Sequence, residues 1–286
     1  MAFVKLRELD RNRILEYISK EPEYNLFIYG DIESFGIDHD PVEVFADERM
    51  VSYDTGETRW ESLVLRYRNY YIVYSQKELY DVAALAEFLL QRSEVEGVSG
   101  KGSLVEPLVP YFPDSRYQPT YLSRCNELTY EIPVARLTAD GYVLRRLEAS
   151  DAQAVLDVLM RIDEFSSIYR GKNLDDERDA IARDLTLTGM GYGVFHNGEL
   201  VACAKTSGQN GLGAVIVGVA TLPAYRRRGL ASACVAEICR ANFEAGRQFL
   251  SLFYDNPEAG KVYRRLGFVE MGVWGMLRFP SNGAVS

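Results

Sequence analysis

Val217–Ile238 reads VGVATLPAYRRRGLASACVAEI. An apolar strand ends at Pro223, a basic turn of Arg226, Arg227 and Arg228 follows, and Gly229 admits the chain to a helix in which Leu230 is followed by the small residues Ala231, Ser232 and Ala233. A strand-to-helix turn exposes backbone N–H groups that no helical carbonyl accepts, and the helix dipole adds partial positive charge there. Glycine lets an anion approach the backbone, the small residues keep the mouth clear, and the arginines add charge. The residues alone leave two readings open: a cradle for a pyrophosphate, or a basic surface turn that caps a helix.

The flanking pattern extends this unit in both directions. Tyr142–Leu147 reads as a strand, and Ser150 and Asp151 begin a helix to about Ile162 with apolar residues at 154, 155, 158, 159 and 162. Leu174–Leu187 is a second helix. Gly193–His196 and Leu200–Ser207 form a hairpin across Asn197-Gly198, a dipeptide suited to the left-handed turn of a tight hairpin. Gly213–Thr221 is a buried strand, Gly229–Gly246 a helix, Phe249–Tyr254 a strand, Pro257–Leu266 a helix, and Phe268–Phe279 one or two closing strands. The expected order is β-α-α-β-β-β-α-β-α-β, an α/β arrangement with helices on both faces of a mixed sheet.

The first half is less sharply written. Leu6–Ser19 has helical periodicity, and Asn25–Gly30 is a short apolar run ending at a turn or helix start. Val42–Ala46, Trp60–Tyr67 and Tyr70–Tyr74 read as strands, with a turn at Arg68-Asn69. Asp81 is placed to cap a helix from Val82 to Gln91, and Val95–Val98 begins another strand. Residues 99–120 hold four prolines among three aromatics and give no clear element. Tyr130–Asp140 reads as a strand followed by a linker. A division into residues 1–138 and 139–286 follows, consistent with 286 residues at about 100–200 per domain.

Composition limits the function. Apolar residues make up 47 % and charged residues 26 %, ordinary globular usage. The longest apolar run, Leu212–Pro223, falls well short of the roughly 20 residues that cross a bilayer, and the charged N-terminus has no signal-peptide core. A cytoplasmic protein with no membrane partner is expected. Cys125, Cys203, Cys234 and Cys239 form no CxxC pair, and His39 and His196 show no metal-ligand spacing, so no metal site is expected. The net charge of −9 falls entirely in residues 1–138, while residues 139–286 sum to zero. An acidic half repels nucleic acid; it either attracts a cationic partner or serves solubility.

Arg226-x-x-Gly229-x-Ala231 resembles the (Arg/Gln)-x-x-Gly-x-(Gly/Ala) signature of the GNAT superfamily of N-acetyltransferases. Val219-Ala220-Thr221 with Pro223 precedes it as that family's pantetheine strand does. Asn256-Pro257-Glu258-Ala259 and Val262-Tyr263-Arg264-Arg265-Leu266-Gly267-Phe268 are similar to the family's Asn-x-x-Ala…Tyr-x-x-Leu-Gly-Phe segment. The resemblance covers about residues 141–282. It implies a mixed, mostly antiparallel GNAT-type sheet and acetyl-CoA as co-substrate, with the strands holding Val219 and Phe253 splayed to admit the pantetheine arm. The backbone of Val219, Ala220 and Thr221 would bond the arm, and the N–H groups of Arg227 to Ser232 the pyrophosphate. Asn256 would lie near the arm's end, and Tyr263 would be the general acid for the departing thiolate. Its structural alternative is an aromatic packed on the sheet.

One departure stands out. Many members carry a glutamate near the strand equivalent to 213–221, as base for the substrate ammonium; GAVIVGVAT has no carboxylate. Asp163, Glu164, Asp255 and His196 are the other candidates, His196 reading more simply as a turn residue. The element order of the first half loosely parallels the second, which resembles two-domain GNAT proteins with a degenerate N-terminal copy. That copy would lack the CoA turn and form one wall of the acceptor cleft. The expected activity is transfer of an acetyl group to a primary amine of a small molecule or peptide, a cationic one if the acidic half faces it. A non-catalytic acyl-CoA-binding sensor or scaffold, a different acyl group or acceptor, and an acidic protein-docking module are the alternatives. Apolar strands near the C-terminus, if they form a sheet edge, leave a homodimer open.

Overall fold

The computed structural model describes residues 3–52, 54, 56–92, 94–130 and 134–280. In chain order the first elements are β1 (Val4–Lys5), α1 (Arg11–Ile18), α2 (Leu26–Phe35), β2 (Asp38–His39), β3 (Val42–Ser52), β4 (Glu57–Tyr67), β5 (Tyr70–Tyr74), α3 (Val82–Leu90), β6 (Gly97–Lys101), α4 (Gly102–Val105) and β7 (Arg116–Cys125). There follow α5 (Val134–Ala139), β8 (Tyr142–Arg146), α6 (Ala152–Met160), α7 (Asp163–Tyr169), α8 (Leu174–Thr186), β9 (Gly191–His196), β10 (Glu199–Ser207), β11 (Gly213–Thr221), α9 (Leu230–Glu244), β12 (Phe249–Tyr254), α10 (Pro257–Leu266) and β13 (Val269–Arg278). No helix among the described residues is long and apolar enough to cross a membrane.

Two compact units result: residues 1–122 with 271–286, and residues 123–270. This differs from the expected division at 138/139, which falls inside α5. Backbone pairing is the cause. β13 pairs antiparallel with β6 from Trp274↔Lys101 to Arg278↔Gly97, and Leu277 is fully buried in the core around Phe88, Leu104 and Leu108. The end of the chain therefore completes the first unit. β13 lies between β6 and β7, so it is not a sheet edge, and the route to a homodimer through an apolar C-terminal edge is removed. The expected strand from Tyr130 lies partly outside the described residues; its supposed linker is α5.

The second unit orders its strands β12-β11-β10-β9-β8. Only β11 and β12 run parallel, because a whole helix, α9, connects them. The hairpin β9–β10 turns at Asn197 and Gly198, both left-handed (φ 51° and 82°), as a tight turn matched to strand twist requires. Helix α9 lays Ala233, Cys234, Ala236 and Cys239 into a core with Val194, Val201, Ala202 and Leu250. Its small residues let the helix sit close on the sheet. All four cysteines are free and buried, as small core residues are. Helix α7, between the two helices expected after β8, was not foreseen.

The first unit orders its strands β1-β3-β4-β5-β6-β13-β7, with β2 on β3, and repeats the same plan. Its parallel pair is β5 and β6, matched from Tyr70↔Gly97 to Val73↔Gly100. A helix again links them: α3, capped by Asp81, which accepts from the Ala84 N–H at 3.0 Å. Residues 99–120, unreadable in sequence, become the end of β6, α4, a 3-10 turn (Glu106–Tyr111) and the start of β7.

Candidate active site

The site begins with a break in pairing. β11 and β12 are matched only from Gly213↔Phe249 to Ile216↔Leu252, yet β11 continues to Thr221 and β12 to Tyr254. The cause is a bulge in β11. Against β10 its register shifts between Cys203↔Ala220 and Lys205↔Val217, so Gly218 and Val219 together oppose Ala204. Gly218 takes the left-handed conformation such a bulge favours (φ 62°), and the extra residue bends the strand. From Val217 to Thr221 the edge of β11 toward β12 is therefore without a ladder partner, and Val219 is half-buried there. A glycine inside an otherwise apolar strand was the signal for this bulge.

Beyond Thr221 the chain makes a 3-10 turn (Pro223–Tyr225), then Arg226 (φ −63°, ψ 160°), then Arg227 and Gly229, both left-handed at φ 65° and 77°. Ala233 donates the first helical bond of α9, to Gly229 O at 3.0 Å, so the N–H groups of Leu230, Ala231 and Ser232 have no helical acceptor. Left-handed residues alternating with ordinary ones turn successive N–H groups toward one concavity, an anion nest. A side chain at Gly229 would meet nothing within 4 Å, so the space above the turn is open.

The three arginines differ. Arg226 donates from Nε to Thr221 O (3.3 Å) and lies 3.7 Å from Glu164 Oε2. Arg227 makes no hydrogen bond or ion pair among the described residues. Arg228 folds back, donating from Nη1 to the Tyr142 hydroxyl at 2.7 Å and from Nη2 to Ala224 O at 3.4 Å.

Asn256 caps α10, accepting from the Glu258 N–H at 2.9 Å, with Pro257 at the first helical position where no N–H is needed. One turn further, Gly260 lies so close to Tyr254 that a Cβ would stand 2.5 Å from the ring. Tyr263 is 8 % exposed, with ring neighbours Tyr254 at 5.7 Å and Phe268 at 6.0 Å. Tyr254 is two residues past Leu252, so Tyr263 packs beside the end of β12 that runs on past its matched pairs with β11. Burial pushes its phenol up to about 12, and its hydroxyl makes no hydrogen bond among the described residues.

The base candidates scatter. Asp163 and Glu164 occupy the exposed first turn of α7, and Glu164 is drawn to Arg226. Asp255 is exposed beside Asn256. His196 is not a plain turn residue: its ring is 4.9 Å from that of Tyr142, and Nδ1 is 3.4 Å from the Tyr225 hydroxyl. A carboxylate that sequence reasoning passed over, Asp184 of α8, is paired with Lys205 of β10, which lies across from Val217.

The first unit handles the equivalent place differently. Tyr74 and Lys101 come next after the last paired residues, Val73 and Gly100, and Glu21 bridges them: the Tyr74 hydroxyl donates at 2.9 Å and Lys101 Nζ sits at 2.5 Å. Side chains fill the end of this parallel pair, and no Arg-x-x-Gly-x-Ala turn follows it.

These features define a class. Residues 158–268 match the model of the acetyltransferase (GNAT) family, and this part of the chain is a GNAT domain. A Drosophila protein of known structure is similar over 98 % of this chain and 99 % of its own, at 15 % identity and a TM-score of 0.69. A GCN5-related N-acetyltransferase-like protein from Streptococcus suis covers 94 % and 98 % at 16 % identity and a TM-score of 0.56. A tandem GNAT protein from the clavulanic acid biosynthesis pathway covers 96 % and 97 % at 11 % identity and a TM-score of 0.54. At such identities the likeness is one of fold, and it extends through both units. No curated protein matches the sequence.

Proposed function

We propose that the protein transfers the acetyl group of acetyl-CoA to a primary amine, the second unit being the active one. The observation that carries this reading is the early end of the β11–β12 ladder at Ile216 and Leu252, directly before an open anion nest. An extended amide-bearing arm can complete a strand edge left without a partner, and a pyrophosphate suits the N–H groups of Arg227 to Ser232. Val219 and Thr221 would bond the pantetheine arm, Arg226 and Arg227 would add charge, and Asn256 would lie near the arm's end.

In the proposed reaction a neutral amine attacks the thioester carbonyl, whose oxygen is polarised by backbone N–H groups of the Val219 strand. The C–S bond breaks, the amine loses a proton, and the products are an amide and the free thiol. Tyr263 is the donor for the departing sulfur. A phenol at about 12 stays protonated throughout the physiological range, and its hydroxyl has no competing acceptor. A thiol's ordinary value is near 8.5, so full transfer from this phenol runs uphill; Tyr263 stabilises the thiolate by a hydrogen bond while the amine's proton balances the charge. The base acts through water or comes from outside β11, which carries no carboxylate.

The acceptor is an amine of a small molecule or peptide, and the net charge of −9 in residues 1–138 favours a cationic one. The first unit, with Glu21, Tyr74 and Lys101 across the end of its parallel pair, would bind no CoA. A second reading, an acyl-CoA sensor without turnover, is favoured by the missing strand carboxylate. A screen of amines for release of free CoA from acetyl-CoA separates the two. Release with at least one amine supports the enzyme, and binding with no release from any amine supports the sensor.

A further inference from the structure

The turn Arg226–Gly229 holds two left-handed residues, and one of them, Arg227, carries a side chain that makes this conformation strained. Such a turn keeps its shape only when its surroundings fix it. Arg228 stands between the two, and its guanidinium donates to the Tyr142 hydroxyl at 2.7 Å and to Ala224 O at 3.4 Å. Tyr142 is the first residue of the edge strand β8 and is 4 % exposed. Its ring lies against His196, the last residue of β9, and the two strands are matched at this pair. His196 in turn is 3.4 Å from the hydroxyl of Tyr225, which stands edge-on to both rings at the start of the turn. The turn is thus gripped at Tyr225 and at Arg228 by one cluster of side chains rooted in the sheet.

We propose that Tyr142 and His196 are positioning residues of the pyrophosphate site, acting through Tyr225 and Arg228 to hold the nest in its binding shape. The proposal rests on the acetyl-CoA reading above. It gives the third arginine a role other than charge, and it makes the open end of the sheet part of the site's support. Tyr142 and His196 need touch no ligand.

Tyr142→Phe removes one hydroxyl and keeps the ring and its packing, so the fold is retained. Titrations of the full chain with CoA and, into the millimolar range, with S-acetylpantetheine, which lacks the pyrophosphate, are compared. The expected result is a CoA Kd raised about tenfold, the scale of losing a hydrogen bond to a charged group, with the S-acetylpantetheine Kd unchanged. An unchanged CoA Kd, or equal weakening of both compounds, overturns the proposal. In a double-mutant cycle, Arg228→Met added to Tyr142→Phe should give little further loss; fully additive losses would mean that Tyr142 does not act through Arg228. Failure of the unaltered protein to bind CoA would instead remove the acetyl-CoA reading, and this one with it.

Discussion

Ile216 and Leu252 are the last residues matched across the parallel strands β11 and β12, although both strands run on beyond them. The divergence follows from a single extra residue, placed by Gly218 in β11 opposite Ala204. Everything in the candidate site is arranged around that opening: the nest at Arg227–Ser232 beyond one strand, and Asn256 and Tyr263 beyond the other.

Gly229→Asp tests the nest. Asp tolerates a left-handed φ better than most side chains, so the fold should survive, but its carboxylate would stand in the open space proposed for the pyrophosphate. CoA affinity should fall at least about tenfold, while Gly229→Asn, of the same shape without the charge, should lose much less. Equal affinities for the two variants in a titration would contradict an anion site at this turn.

Tyr263→Phe should lower kcat by about a hundredfold, the low end for removing one hydrogen-bond donor to a developing anion, and leave the acetyl-CoA Kd within about twofold. The sign of the phenol's shift gives a second check. A group held up near 12 keeps its proton as pH rises, so Tyr263 should cause no loss of activity below about pH 10. An unaltered kcat in steady-state assays would remove Tyr263 from the chemistry.

Gly260→Ala probes the packing that seats Tyr263. The new methyl would meet the Tyr254 ring at 2.5 Å, so α10 must shift. A loss of about 1–3 kcal/mol is expected, visible as a lower melting temperature, because overpacking at a tight contact strains both partners. Unchanged thermal stability would show that α10 and Tyr254 give way freely.

Asp31 in α2 of the first unit should shape the pH dependence of stability. Burial raises its carboxyl to about 7. The unfolded chain releases this proton near 4, so between about pH 4 and 7 the folded state binds more protons, and stability falls as pH rises through that window. Asp31→Asn should therefore flatten the profile and add about 2 kcal/mol at pH 8. Denaturant unfolding of both proteins at pH 5 and pH 8 would reveal it; an identical pH slope would contradict the assignment.

How much the sequence revealed depended on whether the signal was local. The Asn197-Gly198 hairpin, the strand before Pro223, the helix after Gly229 and the helix from Pro257 each rest on neighbouring residues and were legible, whereas the cap that Asn256 provides was not read. The boundary was not, because the pairing of Trp274–Arg278 with Gly97–Lys101 joins segments more than 170 residues apart. Residues 99–120 hid short elements behind four prolines. The direction of Arg228 was hidden too: three adjacent arginines read alike, and only the fold brings Tyr142 under one of them.

The most direct test is titration of the purified chain with acetyl-CoA, with desulfo-CoA as an unreactive analogue and ATP as a phosphate control. The account predicts saturable binding of both CoA compounds and none of ATP. Absence of CoA binding would mean that the turn at Arg226–Ala231 only caps α9, and the proposed acetyl transfer would have no donor site.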